Sequence, residues 1–165
     1  MEVCVLAYLS KDKELNRILE SGRDIYSAIW EKLTSKTCTD VYRQKTKDLF
    51  LPVMYGLGYN GLAEKLKIPL DYSKILINRI SSVFSGCNDW IINQQNQINN
   101  EFITDYFGRI RNFEESYKIR NFSIQSPASL ICLDKLNKLR FAIKDFANLT
   151  MHIHDGYVIN CNKLN

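Results

Sequence analysis

Hydrophobic residues recur at helical spacing along most of the chain. In the segment 25–36, Ile25, Ala28, Ile29 and Leu33 fall three or four positions apart, and Asp24 precedes them as a plausible N-cap. Similar patterns, ended by glycines such as Gly22, predict further helices. The predicted helical segments are 2–10, 11–24, 25–36, 40–56, 59–68, 71–86 and 87–102.

Two stretches alternate instead, which is typical of β-hairpins. Residues 102–113 alternate around Phe107-Gly108, and residues 149–160 place His154-Asp155-Gly156 at a predicted turn. Between them, residues 114–145 predict a long helix interrupted at Pro127, because a proline removes a helical hydrogen bond. The pattern therefore predicts an α+β fold, mainly helical, with short antiparallel hairpins.

Composition limits the class of protein. The 165 residues suit one domain with a real core, and a net charge of +4 permits a polyanionic partner without requiring one. No apolar run reaches the roughly 20 residues of a membrane span, and the start has no basic leader. We expect an intracellular protein, cytoplasmic in a bacterial or virus-infected cell or within an organelle. Many Asn, Ile and Lys residues indicate an AT-rich genome and favour a viral source.

The five cysteines are scattered singly, without a C-x-x-C pair. This spacing favours reduced thiols that behave as small apolar residues, rather than disulfides or a zinc site.

Three short patterns are candidates for chemistry. On a helix, Arg43 and Lys47 lie one turn apart on one face, which Leu51 and Tyr55 continue. Two cations and an aromatic ring in this register can hold a triphosphate and a base or sugar. The alternative is a solvated basic face with Leu51 and Tyr55 in the core, and spacing alone favours that alternative.

The second pattern is the hairpin turn near the C-terminal end. His152 and His154 share a strand face, and Asp155 at the turn could reach a metal ion. Asp-Gly is also simply a good turn pair, and a zinc site would lack a clear third ligand.

The third pattern is Asn121 and Gln125, four residues apart, with Lys118 and Arg120 nearby. Amides can donate to base-edge acceptors in the minor groove, or they can merely cap a kink at Pro127.

Taken in order, these motifs resemble the fingers and C-terminal palm of a family A DNA polymerase of the bacterial polymerase I type. Arg43-x-x-x-Lys47 followed by Tyr55-Gly56 resembles its nucleotide-binding motif B, and Ile153-His154-Asp155 resembles motif C. Four stretches are similar to family segments that lie between these motifs: GYNGLAEKLKIP, FSGCNDWI, DYFGRIR and NFSIQSPAS. The first 26 residues resemble the segment that follows motif A. The resemblance covers essentially the whole chain.

The resemblance implies a nucleotide site. Arg43 and Lys47 would hold the triphosphate of a dNTP, with Lys47 also a candidate proton donor to pyrophosphate. Tyr26 replaces a family histidine that touches the phosphates. Tyr55 would stack at the nascent base pair, held by Glu2, which crowds the sugar 2′ position.

The resemblance also implies a DNA site and a metal site. Arg109 and Arg111 would lie near the template backbone, and Asn121, Gln125 and His154 along the primer–template junction. Asp155 would bind the catalytic Mg²⁺, of which the family uses two, held by two aspartates.

Four departures from the family pattern matter. The family's first catalytic aspartate would precede Glu2, Leu51 replaces Phe or Tyr, Pro52 lies inside the nucleotide helix, and Gly156 replaces an acidic residue. We therefore expect a polymerase portion that does not polymerise alone.

The expected divisions are a palm segment at 1–22, fingers at 23–113, and palm helix with the motif C hairpin at 114–165.

Alternatives remain open. The chain could be half of a split polymerase whose partner chain supplies the rest of the palm, the thumb and motif A. It could also be a non-catalytic nucleic-acid-binding remnant, a relative of single-subunit RNA polymerases, or an unrelated helical domain.

Overall fold

A computed structural model describes residues 1–96, 102–112, 117–153 and 156–161. Helices dominate these residues, as the hydrophobic pattern predicts. The helices are α1 (Glu2–Ser10), α2 (Lys13–Glu20), α3 (Ile25–Thr34), α4 (Asp40–Met54), α5 (Tyr59–Leu66), α6 (Leu70–Val83), α7 (Ser85–Asn96) and α8 (Tyr117–Ile143).

Two antiparallel hairpins accompany the helices. Strands β1 (Phe102–Thr104) and β2 (Ile110–Asn112) flank the predicted Phe107-Gly108 turn. Strands β3 (Ala147–Ile153) and β4 (Gly156–Cys161) form the second hairpin, with a register shift between Leu149 and Met151. The α+β fold, mainly helical with short antiparallel hairpins, is confirmed.

Helix boundaries follow the capping residues. The Asp12 carboxylate accepts a hydrogen bond from the Leu15 N–H at 2.8 Å, and Asp24 accepts one from the Ser27 N–H at 2.9 Å. Each carboxylate satisfies a backbone donor that has no partner inside the helix. At the other end, Gly22 follows α2 with a φ of +67°, a conformation that favours glycine. The predicted cap at Asp24 and the stop at Gly22 are confirmed.

The core forms around α1. Most residues of this helix are apolar, and it packs against both α7 and α8. Leu6 and Ala7 of α1 have no exposed surface. Phe84 lies directly before α7, and its ring packs edge to face against that of Phe50 of α4, with ring centroids 5.1 Å apart. One continuous cluster therefore joins the first helix to the middle of the chain.

The predicted interruption at Pro127 is wrong, because α8 runs through this residue without a break. Pro127 is almost fully buried and lines an apolar cavity with Tyr8 and Phe107. The lost helical hydrogen bond is thus offset by contacts outside the helix. Similarly, α4 continues past Pro52 to Met54.

Gly156 also differs from its predicted place in the turn, because it is the first residue of β4 and pairs with Ile153. The residues between them, His154 and Asp155, lie outside the described part of the chain.

The C-terminal half of α8 and the second hairpin extend away from the core. Phe141 is 73% exposed, and Met151 and Ile153 are both more than half exposed. A two-stranded hairpin is marginally stable by itself, and this one packs against α8. Among the described residues, none of the helices combines the length and apolar character needed to cross a membrane.

We expect Phe50→Ala to lower the free energy of unfolding by about 3–5 kcal/mol, because Phe50 is fully buried and its loss leaves a cavity against Phe84. Urea unfolding followed by circular dichroism measures this change. Phe141→Ala is the control, with an expected change within about 0.5 kcal/mol because the ring is exposed. Equal losses in both variants would contradict the assignment of the core.

Candidate functional site

Helix α4 presents the predicted series of side chains on one face. Arg43, Lys47, Leu51 and Tyr55 follow each other at steps of four. Lys47 is exposed, whereas Leu51 and Tyr55 are partly buried and pack against the core. Tyr55 ends the helix, and its N–H donates to the Leu51 carbonyl at 2.8 Å. The face therefore runs from two cations in solvent to an aromatic ring at the core.

A carboxylate holds Arg43 in place. The guanidinium Nε and Nη2 donate to the two oxygens of Asp24 at 3.0 and 2.8 Å. These bonds lower the pKa of Asp24 to about 2. The Tyr26 ring lies beside the same guanidinium, 5.8 Å from its centre. Among the described residues, no hydrogen bond involves Nη1 of Arg43, and α3 sets the orientation of the guanidinium.

The Asp24–Arg43 pair was not predicted, although Asp24 was recognised as a helix cap. One carboxylate performs both tasks because α3 packs directly against α4. Sequence spacing gave no signal for a pair that is 19 residues apart.

Tyr55 joins three distant segments. Its hydroxyl is buried, and both Glu2 of α1 and Gln125 of α8 lie close enough to affect its pKa. Burial is the main cause that raises this pKa, and the Glu2 charge adds to it because a phenolate would be repelled. Within the described residues, the hydroxyl makes no hydrogen bond of normal geometry. The structure thus brings together the expected Glu2 and Tyr55 without a closed hydrogen bond.

Gly56, directly after Tyr55, lets α8 approach the end of α4. Its φ is +100°, and a Cβ atom there would lie 3.1 Å from Nη1 of Arg120. A larger residue would therefore be strained and would press on the Arg120 side chain.

Arg109 is fixed by a buried carboxylate, Asp105, which sequence reasoning missed. The Asp105 side chain accepts hydrogen bonds from the backbone N–H groups of Phe107 and Arg109 at 2.9 and 2.8 Å, and from Arg109 Nε at 3.0 Å. Ser126 of α8 donates to the same carboxylate and accepts from Arg109. These bonds keep the pKa of Asp105 low although its burial opposes ionisation. The only sequence signal was an aspartate at the start of a turn.

Four of the predicted DNA-contacting residues line one open cavity of about 490 Å³ between the first hairpin and α8. They are Arg109, Arg111, Asn121 and Gln125, and Lys118 lies beside them. Asn121 has a buried amide oxygen that accepts no hydrogen bond within the described residues. The cavity combines cations with amides and contains no carboxylate among its described lining residues.

The predicted metal ligand Asp155 and its neighbour His154 lie outside the described residues. His152 is exposed, and its ring centroid is 5.2 Å from that of Tyr157. Among the residues that the structure describes, no group of three or more His, Cys, Asp or Glu side chains could hold a metal ion. None of the five cysteines forms a disulfide with another described residue.

Comparisons with known proteins agree with this arrangement. The family model described as DNA polymerase family A matches residues 1–165. DNA polymerase theta of Drosophila melanogaster is 25% identical over 96% of this chain, which covers 9% of that protein. The thermostable DNA polymerase I of Thermus aquaticus is 23% identical over 99% of the chain, which covers 22% of it. The chain thus spans only a minor part of these bacterial and animal relatives, and a viral source stays a prediction.

A solved structure shares the fold. The POL domain of Pol1 from M. smegmatis, in complex with DNA primer-template and dNTP, superposes with a TM-score of 0.90 at 22% identity. The match covers 99% of this chain and 32% of the other.

We expect Asp24→Asn to lower the free energy of unfolding by up to about 1 kcal/mol near neutral pH, because the Asp24–Arg43 pair is partly exposed. Asparagine can still cap the helix, so the variant loses the charge and one of the two acceptors for Arg43. Since the folded pKa is depressed to about 2, the contribution is present above the unfolded pKa of about 3.9 and is lost as the pH falls toward 2.

Urea unfolding of both proteins at about pH 6 and about pH 3 measures this dependence. Asp134→Asn, which removes an exposed pair within α8, is the control and should show little difference at either pH. A difference between Asp24→Asn and the native chain that grows as the pH falls would contradict the pairing.

Proposed function

From the premise that this chain belongs to DNA polymerase family A, we propose that it binds an incoming dNTP and primer–template DNA for template-directed nucleotidyl transfer. The proposal is carried by one observation: Glu2, Tyr55 and Gln125, from three segments far apart in the chain, lie around one buried hydroxyl. Tyr55 therefore lies where the cationic face of α4 meets the helix that lines the cavity of about 490 Å³.

In the proposed nucleotide site, Arg43 and Lys47 bind the triphosphate. Asp24 occupies one edge of the Arg43 guanidinium, so the remaining Nη1 group faces the phosphates. Lys47 is exposed and brings a mobile ammonium that can also donate a proton to departing pyrophosphate. Tyr26 supplies a hydroxyl donor beside them, and its raised pKa keeps it protonated. Leu51 and Tyr55 offer the sugar and base an apolar surface, with Glu2 behind Tyr55.

In the proposed DNA site, Arg109 and Arg111 bind backbone phosphates, while Asn121 and Gln125 donate to base edges at the primer–template junction. The Asp105–Ser126 contacts hold Arg109 against α8, so its position is fixed before DNA arrives. The solved relative from M. smegmatis is a complex with DNA primer-template and dNTP, which supports both partners. His154 stays a proposed member of this site.

We assign Mg²⁺ binding to Asp155, in line with the divalent-metal chemistry of the family. When bound, such ions activate the attacking hydroxyl and offset charge on pyrophosphate. The described residues offer no metal cluster, so what they contribute is binding and orientation of the nucleotide and DNA.

The proposed division assigns residues 1–22 and 114–165 to the palm and 23–113 to the fingers. By the family resemblance, the first catalytic aspartate would precede Glu2, and a lone carboxylate binds Mg²⁺ weakly. We therefore propose that these residues alone do not extend a primer, and that another segment or chain supplies the rest of the palm, the thumb and motif A.

Lys47→Ala should weaken dNTP binding about tenfold or more, because an ammonium–phosphate contact contributes about 1.5–3 kcal/mol. Isothermal titration calorimetry with a dNTP measures the change. Lys138→Ala removes an exposed lysine of α8 and serves as the control, with affinity expected to stay within twofold. Equal dNTP affinity of Lys47→Ala and the native chain would refute the proposed triphosphate site.

Asp155→Ala should abolish the Mg²⁺ dependence of dNTP binding while salt-sensitive DNA binding persists, since DNA binding rests on Arg109 and Arg111. Titrations with and without Mg²⁺ separate the two effects.

In the same preparations, a primer-extension assay should show no product from the 165 residues alone. Robust extension would overturn the proposed need for a further aspartate.

A further inference from the structure

A further cavity, separate from the two described above, lies on another side of α4, between the end of α3 and the start of α6. It has a volume of about 290 Å³, near the lower end of ligand-binding pockets. Its floor consists of the buried side chains Leu33 and Leu76. The cavity shares no described lining residue with the cavity that contains Arg109.

The walls of this cavity are aromatic. The rings of Trp30 and Tyr42 are stacked, with centroids 4.4 Å apart and planes inclined by 10°. On the opposite wall, Tyr72 is 46% exposed and Ile75 is 59% exposed. Aromatic rings that are held by one neighbour and open to solvent can stack with a planar ligand.

The charged lining residues of the cavity are cationic. Lys36 and Arg79 line it, and neither forms a salt bridge within the described part of the chain. By contrast, Arg23 is paired with Glu31 and Lys32 with Glu14. No carboxylate occurs among the described lining residues. Two unpaired cations beside open aromatic rings favour an anionic ligand with flat groups.

Nearby acidic residues do not neutralise the cavity. Asp71, in the first turn of α6, binds Lys74 at 3.1 Å, and Asp40 lies in the first turn of α4 outside the lining. Lys45 adds another cation, with its ammonium 5.8 Å from the Tyr42 ring centre.

We propose that this cavity binds unpaired nucleotides of single-stranded nucleic acid. A base stacks against the exposed Tyr72 ring, while Lys36 and Arg79 contact the adjoining phosphates. This combination of stacking surface and cations needs no particular base sequence, because every base has an aromatic face. Tyr72 and Ile75 are exposed at its wall, so a strand can reach the cavity from solvent.

The site is separate from the proposed nucleotide site. Tyr42 and Arg43 are neighbours in α4, but successive residues project about 100° apart around a helix. Arg43 accordingly turns toward Asp24, whereas Tyr42 turns toward Trp30. Binding of a single strand here requires neither a triphosphate nor a metal ion, so the two proposals can fail independently.

Trp30 provides a readout specific to this cavity. The chain has two tryptophans, so Trp90→Phe leaves Trp30 as the sole source of tryptophan emission. We expect oligothymidylate of about ten nucleotides to quench Trp30 emission in this variant. Adding Tyr72→Leu or Arg79→Gln should weaken binding about five- to tenfold, and Arg79→Gln should also reduce the salt dependence by about one phosphate contact.

Matched controls test the location. Phe141→Leu and Lys138→Gln change an exposed aromatic residue and an exposed lysine on α8, and should leave the quenching unchanged. Arg111→Gln, in the other cavity, should weaken duplex binding while the Trp30 response to oligothymidylate stays the same. If Trp90→Phe does not fold by circular dichroism, fluorescence anisotropy of labelled oligothymidylate with the native tryptophans compares the same variants.

Two results would overturn the proposal. One is oligothymidylate binding that leaves Trp30 emission unchanged, or that is equally strong in Tyr72→Leu, Arg79→Gln and the controls. The other is a loss of self-association in sedimentation experiments with those two variants while oligothymidylate binding stays intact, which would identify the face as a contact between copies of the chain.

Discussion

The burial of α1 is the constraint on which the other contacts depend. This helix packs against α7 on one side and α8 on another, so residues from both ends of the chain share one core. Its apolar sequence therefore has no solvent face to keep polar, apart from positions such as the exposed Tyr8. Because Glu2 begins this helix, the packing also carries a carboxylate to the buried end of α4. Without α1 in place, the Tyr55 hydroxyl would lose the Glu2 carboxylate as a neighbour.

Two of the arginines with proposed ligand roles, Arg43 and Arg109, are positioned by the same kind of contact. In each case a carboxylate from a turn or helix cap takes one edge of the guanidinium and also satisfies backbone donors. Asp24 does this for Arg43, and Asp105 does it for Arg109. A planar guanidinium has five donors, so one edge can be fixed while others stay available. Orientation is thus established within the free chain rather than by the ligand.

The two prolines inside helices show how tertiary contacts override a local preference. Pro127 is buried in the seam between α8, α1 and the first hairpin, and α8 continues through it. Pro52 lies in α4 next to the buried Val53 and Met54. An unfavourable helical residue is tolerated where the surrounding apolar burial exceeds its cost of about 3 kcal/mol. Pro52 therefore gives no reason to doubt that α4 presents a continuous face.

The sequence by itself determined the helices, both hairpins, the Asp24 cap and the order of motifs that identifies the family, because these depend on local periodicity and short spacing. It also placed Arg43, Lys47, Leu51 and Tyr55 on one face, which four-residue steps require. Only the tertiary structure decided that Asp24 holds Arg43, that Asp105 and Ser126 hold Arg109, and that Trp30, Tyr42 and Tyr72 surround one cavity. These contacts join residues far apart in the chain, and their geometry is set by how whole helices pack rather than by any pattern within one helix.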